Sequence, residues 1–198
     1  MYSAEHIAFG EMVARFLTTE VAPNMSAWEA AGAVPRGLYA RAGELGIVGV
    51  QVPREYGGGG QTSFLFNCML TEQIAYQRAT MGSLRVHTDV VMRYVLECGT
   101  AEQRARWLPG MADGTIMSAI AMTEPGSGSD LAGAATTAKR VDGGWLSHGV
   151  KTFISGGSQA DLVVVVARTS QSENHRDGLS LLVVEDGMPG FSRGRQLE

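Results

Sequence analysis

The chain has 198 residues, 44% of them hydrophobic and 18% charged, with a formal net charge of −4. This is the composition of a soluble globular protein able to bury one good core or two small ones. It gives no reason to expect a nucleic-acid partner, and no apolar run approaches the length needed to cross a bilayer. The N-terminus, M-Y-S-A-E-H-I-A-F-G, lacks the basic-then-apolar pattern of a secretory signal, so a cytoplasmic location is the expectation.

Residues 3 to 31 read as helical, with Ser3 as the N-cap and Ile7, Ala8, Met12, Val13, Phe16 and Leu17 forming one apolar face. Pro23 breaks this segment or begins a second helix. Pro35 opens the next, through Leu38, Tyr39, Ala42 and Leu45, and Gly46 ends it. Ile47 to Pro53 is a short β-like or extended run. The four glycines Gly57 to Gly60 could be a phosphate cradle, but no Lys or helix-opening Ser/Thr completes such a motif, so they read as a flexible surface connection. Thr62 or Ser63 caps a helix over roughly Phe64 to Arg78, apolar on both faces and therefore expected to be central in a bundle. A second long helix covers about Leu84 to Cys98 and ends at Gly99. Thr100 then reads as an N-cap, with Gln103 at capping-box spacing. Within this block His87 is expected to be structural, Arg85 solvated or near a cap, and Trp107 a core contact. Cys68 and Cys98 fall in apolar helical stretches and read as two buried thiols rather than a disulfide. No Cys/His cluster has metal-ligand spacing.

From Ile116 strand-like runs replace helical periodicity: Ile116 to Met122, Trp145 to Gly149, Lys151 to Ser155, Leu162 to Ala167 and Leu179 to Val184, with Gly, Asp, Ser or Asn in the spacers. Leu162 to Val166 is apolar throughout, as a strand buried on both faces would be. The predicted organisation is α+β. A helical bundle over residues 1–114 precedes an antiparallel β-domain over 115–198.

The chemistry gathers at I-A-M-T-E-P-G-S-G-S-D, Ile120 to Asp130. A strand end delivers Thr123 and Glu124 to a loop that Pro125, Gly126 and Gly128 make too tight for ordinary residues. Such a loop offers backbone N–H and C=O groups that no side chain shields. It is not a dinucleotide fingerprint, because the third small residue is absent, and there is no G-K-S or G-K-T. On its residues alone it could be a tight turn between strands. In K-T-F-I-S-G-G, Lys151 to Gly157, strand alternation would put Phe153 and Ser155 on one face.

These motifs, in this order, resemble those of the acyl-CoA dehydrogenase family. I-A-M-T-E-P-G-S-G-S-D is similar to its flavin-binding signature, and K-T-F-I-S-G-G to its K-x-[WF]-I-[TS]-[NG]-[GA] stretch. G-I-V-G-V-Q-V-P-R-E-Y-G-G-G-G resembles the L-G-hydrophobic-P-E-x-G-G stretch of the family's N-terminal domain, and the block from Val86 to Pro109 resembles V-H-x(8–12)-G-T-x-E-Q-x-x-x-W-L-P. The combination of M-T-E-P-G-S-G-S-D-L-A-G, F-I-S-G-G-S and V-E-D-G-M-P-G-F-S-R-G-R-Q-L looks most like the long-chain branch, and small Gly82 and Ser83 could leave room for a long acyl tail or form an ordinary helix-start turn. The resemblance implies FAD as cofactor, held by Ile120, Ala121, Met122, Thr123, Gly128, Ser129, Phe153, Ile154 and Ser155, with Ser129 also facing substrate. Phe153 would pack near the flavin and Ser155 would bond around N5. It further implies a fatty acyl-CoA substrate, an electron-transfer flavoprotein as acceptor, and a homotetramer or homodimer.

The resemblance covers the whole chain, while the chain covers about the first half of such an enzyme. The general base that takes the α-proton is expected outside it, so no catalytic residue is assigned here, and Glu124 reads as structural. The chain is expected to be either part of a longer enzyme or one half of a split one. Three functions follow: an acyl-CoA dehydrogenase, a non-catalytic acyl-CoA or assembly subunit, or an acyl-CoA oxidase-like flavoprotein.

Overall fold

The structure is a computed structural model that describes residues 1–174 and 177–196. The last two residues of the V-E-D-G-M-P-G-F-S-R-G-R-Q-L-E stretch lie outside the described residues. The chain divides into two compact units, one taking in Met1–Met117 and the other Ser118–Gln196.

The first unit is helical. Helix α1, Ala4–Phe16, starts at a capping box in which the Ser3 hydroxyl accepts from the His6 backbone N–H and the His6 ring accepts from the Ser3 backbone N–H. A π-helical turn, Leu17–Val21, and a 3₁₀ turn containing Pro23, Ala22–Asn24, carry the chain into α2, Met25–Ala31, which Gly32 closes in the left-handed conformation. The buried face of α1 is His6, Gly10, Val13 and Phe16, whereas Ile7 is half exposed. The expected apolar face is therefore rotated: the His6 ring stacks 4.3 Å from Phe66 and takes the place given to Ile7. Helix α3, Arg36–Glu44, follows Pro35 and buries Leu38, Tyr39 and Ala42.

Ile47 to Val52 is not a strand. It is a string of turns whose Ile47, Val48, Val50 and Val52 side chains are buried. The glycines that follow are no loose connection either. Gly59 donates to Gly49, Gly60 to Val52 and Gln61 to Val50, which laces the run back onto the turns before it. Helix α4, Leu65–Tyr76, buries Phe66, Asn67, Met69 and Leu70 but exposes Leu65 and Tyr76, so it is one-sided rather than central.

Leu84 to Cys98 runs continuously as α5 (Leu84–Val86), a π-helical turn (His87–Val91) and α6 (Met92–Cys98), with Gly99 leaving the helix. His87 is fully buried, with Nε2 3.0 Å from the Met111 carbonyl, as a structural histidine should be. Arg85 pairs with Asp89 on the same helix rather than standing in solvent. Helix α7, Ala101–Ala112, starts at the Thr100–Gln103 capping box and buries Trp107. Both thiols are free, but Cys98 is exposed and Cys68 only partly buried, so the expectation of two buried thiols fails.

The second unit is a sheet of five described strands: β1 (Ser118–Ala121), β2 (Thr137–Val141), β3 (Gly144–His148), β4 (Leu162–Arg168) and β5 (Leu179–Glu185). β4 is its hub, apolar and largely buried along its length. β5 pairs with it antiparallel over its full extent, β1 runs parallel from Ser118↔Leu162 to Ala121↔Val165, and β2 joins it in parallel at Thr137↔Arg168. The sheet is thus mixed, where an antiparallel one was expected. β2 and β3 form a hairpin across the two-residue turn Asp142–Gly143, with Gly143 at φ 81°. A small core of Ala119, Ala121, Ala160 and Val163 lies on one face, packed by Ile154, Val165 and Phe191.

Candidate functional site

The loop after β1 is built on one carboxylate. Glu124 is buried. Its Oε2 accepts from the Ala135 N–H at 2.7 Å, and its Oε1 accepts from the Thr136 N–H at 3.0 Å and from Lys151 Nζ at 2.7 Å. Burial favours the neutral acid, but the Lys151 ammonium and the two amides overcome it and hold the carboxyl at about 2 against an ordinary 4.5. Lys151 also donates to the Met122 carbonyl at 3.0 Å, and Thr152 donates to the Thr123 carbonyl. Glu124 and Ser127 exchange backbone bonds across the turn at Pro125–Gly126, Ser127 Oγ donates to the Asp130 carbonyl, and Asp130 caps Ala132.

This changes the sequence expectation in two ways. The Met122, Thr123 and Glu124 carbonyls are already bonded within the chain, so they are not the bare acceptors anticipated. Gly126 and Gly128 have no positive φ, so ordinary residues could follow the loop's path. A side chain added at either position would meet nothing within 4 Å. Bare backbone there is required neither by conformation nor by the chain's own packing, and it leaves room for another molecule to come close.

Lys151 to Ser155 is not a strand. Phe153 sits in the left-handed region at φ 57° and the residue is 70% exposed. The alternation argument for Phe153 and Ser155 therefore falls. A phenylalanine held in that backbone conformation costs about 1–2 kcal/mol, and its ring gains little burial in return. Ser155 is also exposed, as are Gly128 and Ser129. Thr123, Met122 and Ile120 are half-buried. The Ala121 and Ile154 side chains belong to the small core of the sheet, which leaves their backbones as what they could offer a ligand. A shallow recess of about 340 Å³ opens between Pro125, Gly126, Gly133, Thr136, His148 and Val150. Among the described residues, no group of three His, Cys, Asp or Glu comes together to hold a metal.

The sequence matches the acyl-CoA dehydrogenase N-terminal domain over residues 3–115 and the acyl-CoA dehydrogenase middle domain over 119–198. The chain belongs to the acyl-CoA dehydrogenase family. Within that family it is 41% identical over 198 residues to the mitochondrial long-chain specific acyl-CoA dehydrogenase of Mus musculus, a match covering 100% of this chain and 46% of the relative. The crystal structure of an acyl-CoA dehydrogenase from Geobacillus kaustophilus superposes with a TM-score of 0.95 at 39% identity, covering 100% of this chain and 52% of the other. An acyl-CoA dehydrogenase from Bacillus anthracis, solved in complex with FAD, gives 0.86 at 30% identity over 100% of this chain and 33% of its own. The chain thus spans about half the length of the curated relatives it matches.

In this acyl-CoA dehydrogenase chain the structure adds two residues to those read from sequence. Lys151 appeared there only as the first letter of a motif, yet it joins the two motif segments through Glu124 and Met122. Arg193 was not singled out at all. It donates from Nε to the Gly157 carbonyl at 3.0 Å and from Nη2 to the Ala160 carbonyl at 2.6 Å. No local pattern marks a long-range bond of this kind, because 33 positions separate Arg193 from Ala160.

Proposed function

We propose that this chain provides the flavin-contacting face of an FAD-dependent acyl-CoA dehydrogenase. The observation that carries this reading is the pairing of open backbone at Gly126 and Gly128 with the exposed, left-handed Phe153, the first joined to Glu124 through Ser127 and the second through Lys151. An exposed ring and an approachable backbone suit a planar group carrying a pyrophosphate. The FAD of the Bacillus anthracis relative supports that identity.

In this reading the Thr123 hydroxyl and the backbones of Ile120, Ala121 and Met122 face the polar edge of the ring. Phe153 covers one side, and the Ile154 backbone and Ser155 hydroxyl reach towards N5. Gly128 and Ser129 offer backbone N–H groups to the pyrophosphate, and Ser129 also meets the substrate. FAD, when bound, supplies the hydride acceptor for α,β-dehydrogenation of a fatty acyl-CoA thioester to a trans-2-enoyl-CoA. Glu124 is not the base for that reaction. It is ionised and buried, and both oxygens are occupied by donors that a base would have to give up. The α-proton goes to a residue outside this chain. Fatty acyl-CoA as substrate, an electron-transfer flavoprotein as acceptor and a homotetramer or homodimer complete the proposal.

The test is an anaerobic visible spectrum of the full-length polypeptide before and after a long-chain acyl-CoA. An oxidised-flavin band that bleaches is expected; Thr123→Ala and the double variant Phe153→Ala/Ser155→Ala should fail to retain FAD through purification and should rebind added FAD far more weakly. A protein that stays colourless with added FAD would overturn the reading in favour of an assembly subunit.

A further inference from the structure

The geometry points to Arg193 as a positioning residue for flavin binding, acting through the turn that carries Phe153 and Ser155. This inference rests on the proposed function above. The segment from Lys151 to Ala160 has no strand pairing of its own, yet it holds an aromatic residue in a backbone conformation that costs free energy. Something must keep it from relaxing. At its start Lys151 is bound to Glu124 and Met122. Thr152 N–H donates to the Thr123 carbonyl beside it, and further along the turn the Gly157 N–H donates to the Ile154 carbonyl and the Gln159 N–H to the Gly156 carbonyl, all at 3.0 Å.

Its far end is fixed by Arg193. One guanidinium bridges two carbonyls of the segment, Gly157 and Ala160, and its third nitrogen meets Asp186 Oδ1 at 2.6 Å. Asp186 is itself anchored just past the end of β5: its N–H donates to the Asp161 carbonyl, and its carboxylate accepts from the Gly187 N–H. The guanidinium also lies 5.1 Å from the centre of the Phe191 ring, which packs on the same small core as Ile154. Arg193 therefore ties the exit of the turn to the end of β5 and the entry of β4. The planar fork of Arg matches this pair of carbonyls and carboxylate, whereas the single ammonium of Lys could reach only part of the set.

Two measurements on the full-length protein test the inference. In Arg193→Ala, backbone hydrogen exchange at Gly157 and Gln159 should quicken at least tenfold, while exchange in β4 holds. FAD affinity should fall about tenfold well below the melting temperature, with Arg193→Lys in between. In a Phe153→Ala/Ser155→Ala background, the Arg193→Ala change should alter FAD affinity no further, because its effect passes through those two residues. A purely structural Arg193 would lower the melting temperature and leave exchange in the turn and FAD affinity unchanged, which would overturn the inference. So would an affinity loss that persists undiminished in the double-variant background. If the wild-type protein binds no FAD, the proposed function fails, and so does the flavin-positioning role of Arg193. The exchange measurement then still decides whether Arg193 clamps the turn.

Discussion

At the scale of single residues, Glu124 shows how a binding loop is held from behind. Its two oxygens accept two amides and an ammonium, so the charged form is far better solvated by the fold than by its burial alone. Glu124→Gln keeps the shape but strands the Lys151 charge in a site where its side chain is 10% exposed. The expected cost is about 3 kcal/mol, read from urea unfolding near neutral pH. The pH dependence follows from the direction of the shift. The folded carboxyl sits at about 2 and the unfolded one near 4.5, so the unfolded chain binds more protons between those values. Stability from this group is complete above 4.5 and is lost as pH falls towards 2. Wild type should therefore lose stability more steeply than Glu124→Gln over that window. Parallel slopes in the two proteins would show that the carboxylate carries no such linkage.

Elements differ in how much of themselves they write into the local sequence. The capped helices were legible because a cap is a local device: Ser3 and Thr100 each sit three residues before the partner that completes a capping box. β4 was legible from its unbroken apolar run. β2 was missed because T-A-K-R-V buries only Ala138, although the Asp142–Gly143 turn beside it is a strong hairpin signal. Ile47 to Pro53 and Lys151 to Ser155 were misread for the same reason. Alternating or apolar runs suggest strands, but at Ile47 to Val52 burial is achieved by turns, at Lys151 to Ser155 the Phe153 and Ser155 side chains are exposed, and neither run has strand pairing. The candidate site was found through its motif, but its actual geometry, a left-handed Phe153 and carbonyls already bonded, depends on contacts distant in sequence. The glycine run makes the point testable at this scale. A Cβ on Gly58 would lie 2.2 Å from the Val52 carbonyl oxygen, a clash with backbone that no rotamer relieves. Gly58→Ala should destabilise the helical unit by about 2 kcal/mol, seen as a lower urea midpoint at unchanged slope. A flexible surface connection, the sequence-based expectation, would tolerate the same change.

For the molecule as a whole, the two units hold very different amounts of core. Met1–Met117 buries long apolar side chains from most of its elements, among them Phe16, Leu17, Tyr39, Ile47, Leu70, Leu84, Met92, Leu108 and Met111. In Ser118–Gln196 the large buried side chains come mainly from β4, as Leu162, Val163, Val164 and Val166, the other members of the described core cluster are alanines, and the sheet leaves Trp145, Leu146 and Leu181 at least 40% exposed. Hydrophobic stabilisation scales with the apolar area removed from water, at roughly 25 cal/mol per Å², and alanines remove little of it. The turns around Glu124 and Arg193 thus sit in the unit with less apolar burial, and charged hydrogen bonds carry more of their fixation. The two halves should accordingly part company when expressed alone. A fragment of residues 1–117 should show helical circular dichroism and a single cooperative thermal transition. A fragment of residues 118–196 should bind a hydrophobic dye and melt without a cooperative step. The same experiment would reject this account if the second fragment melted as sharply as the first, because its stability would then have to come from the polar network rather than from burial.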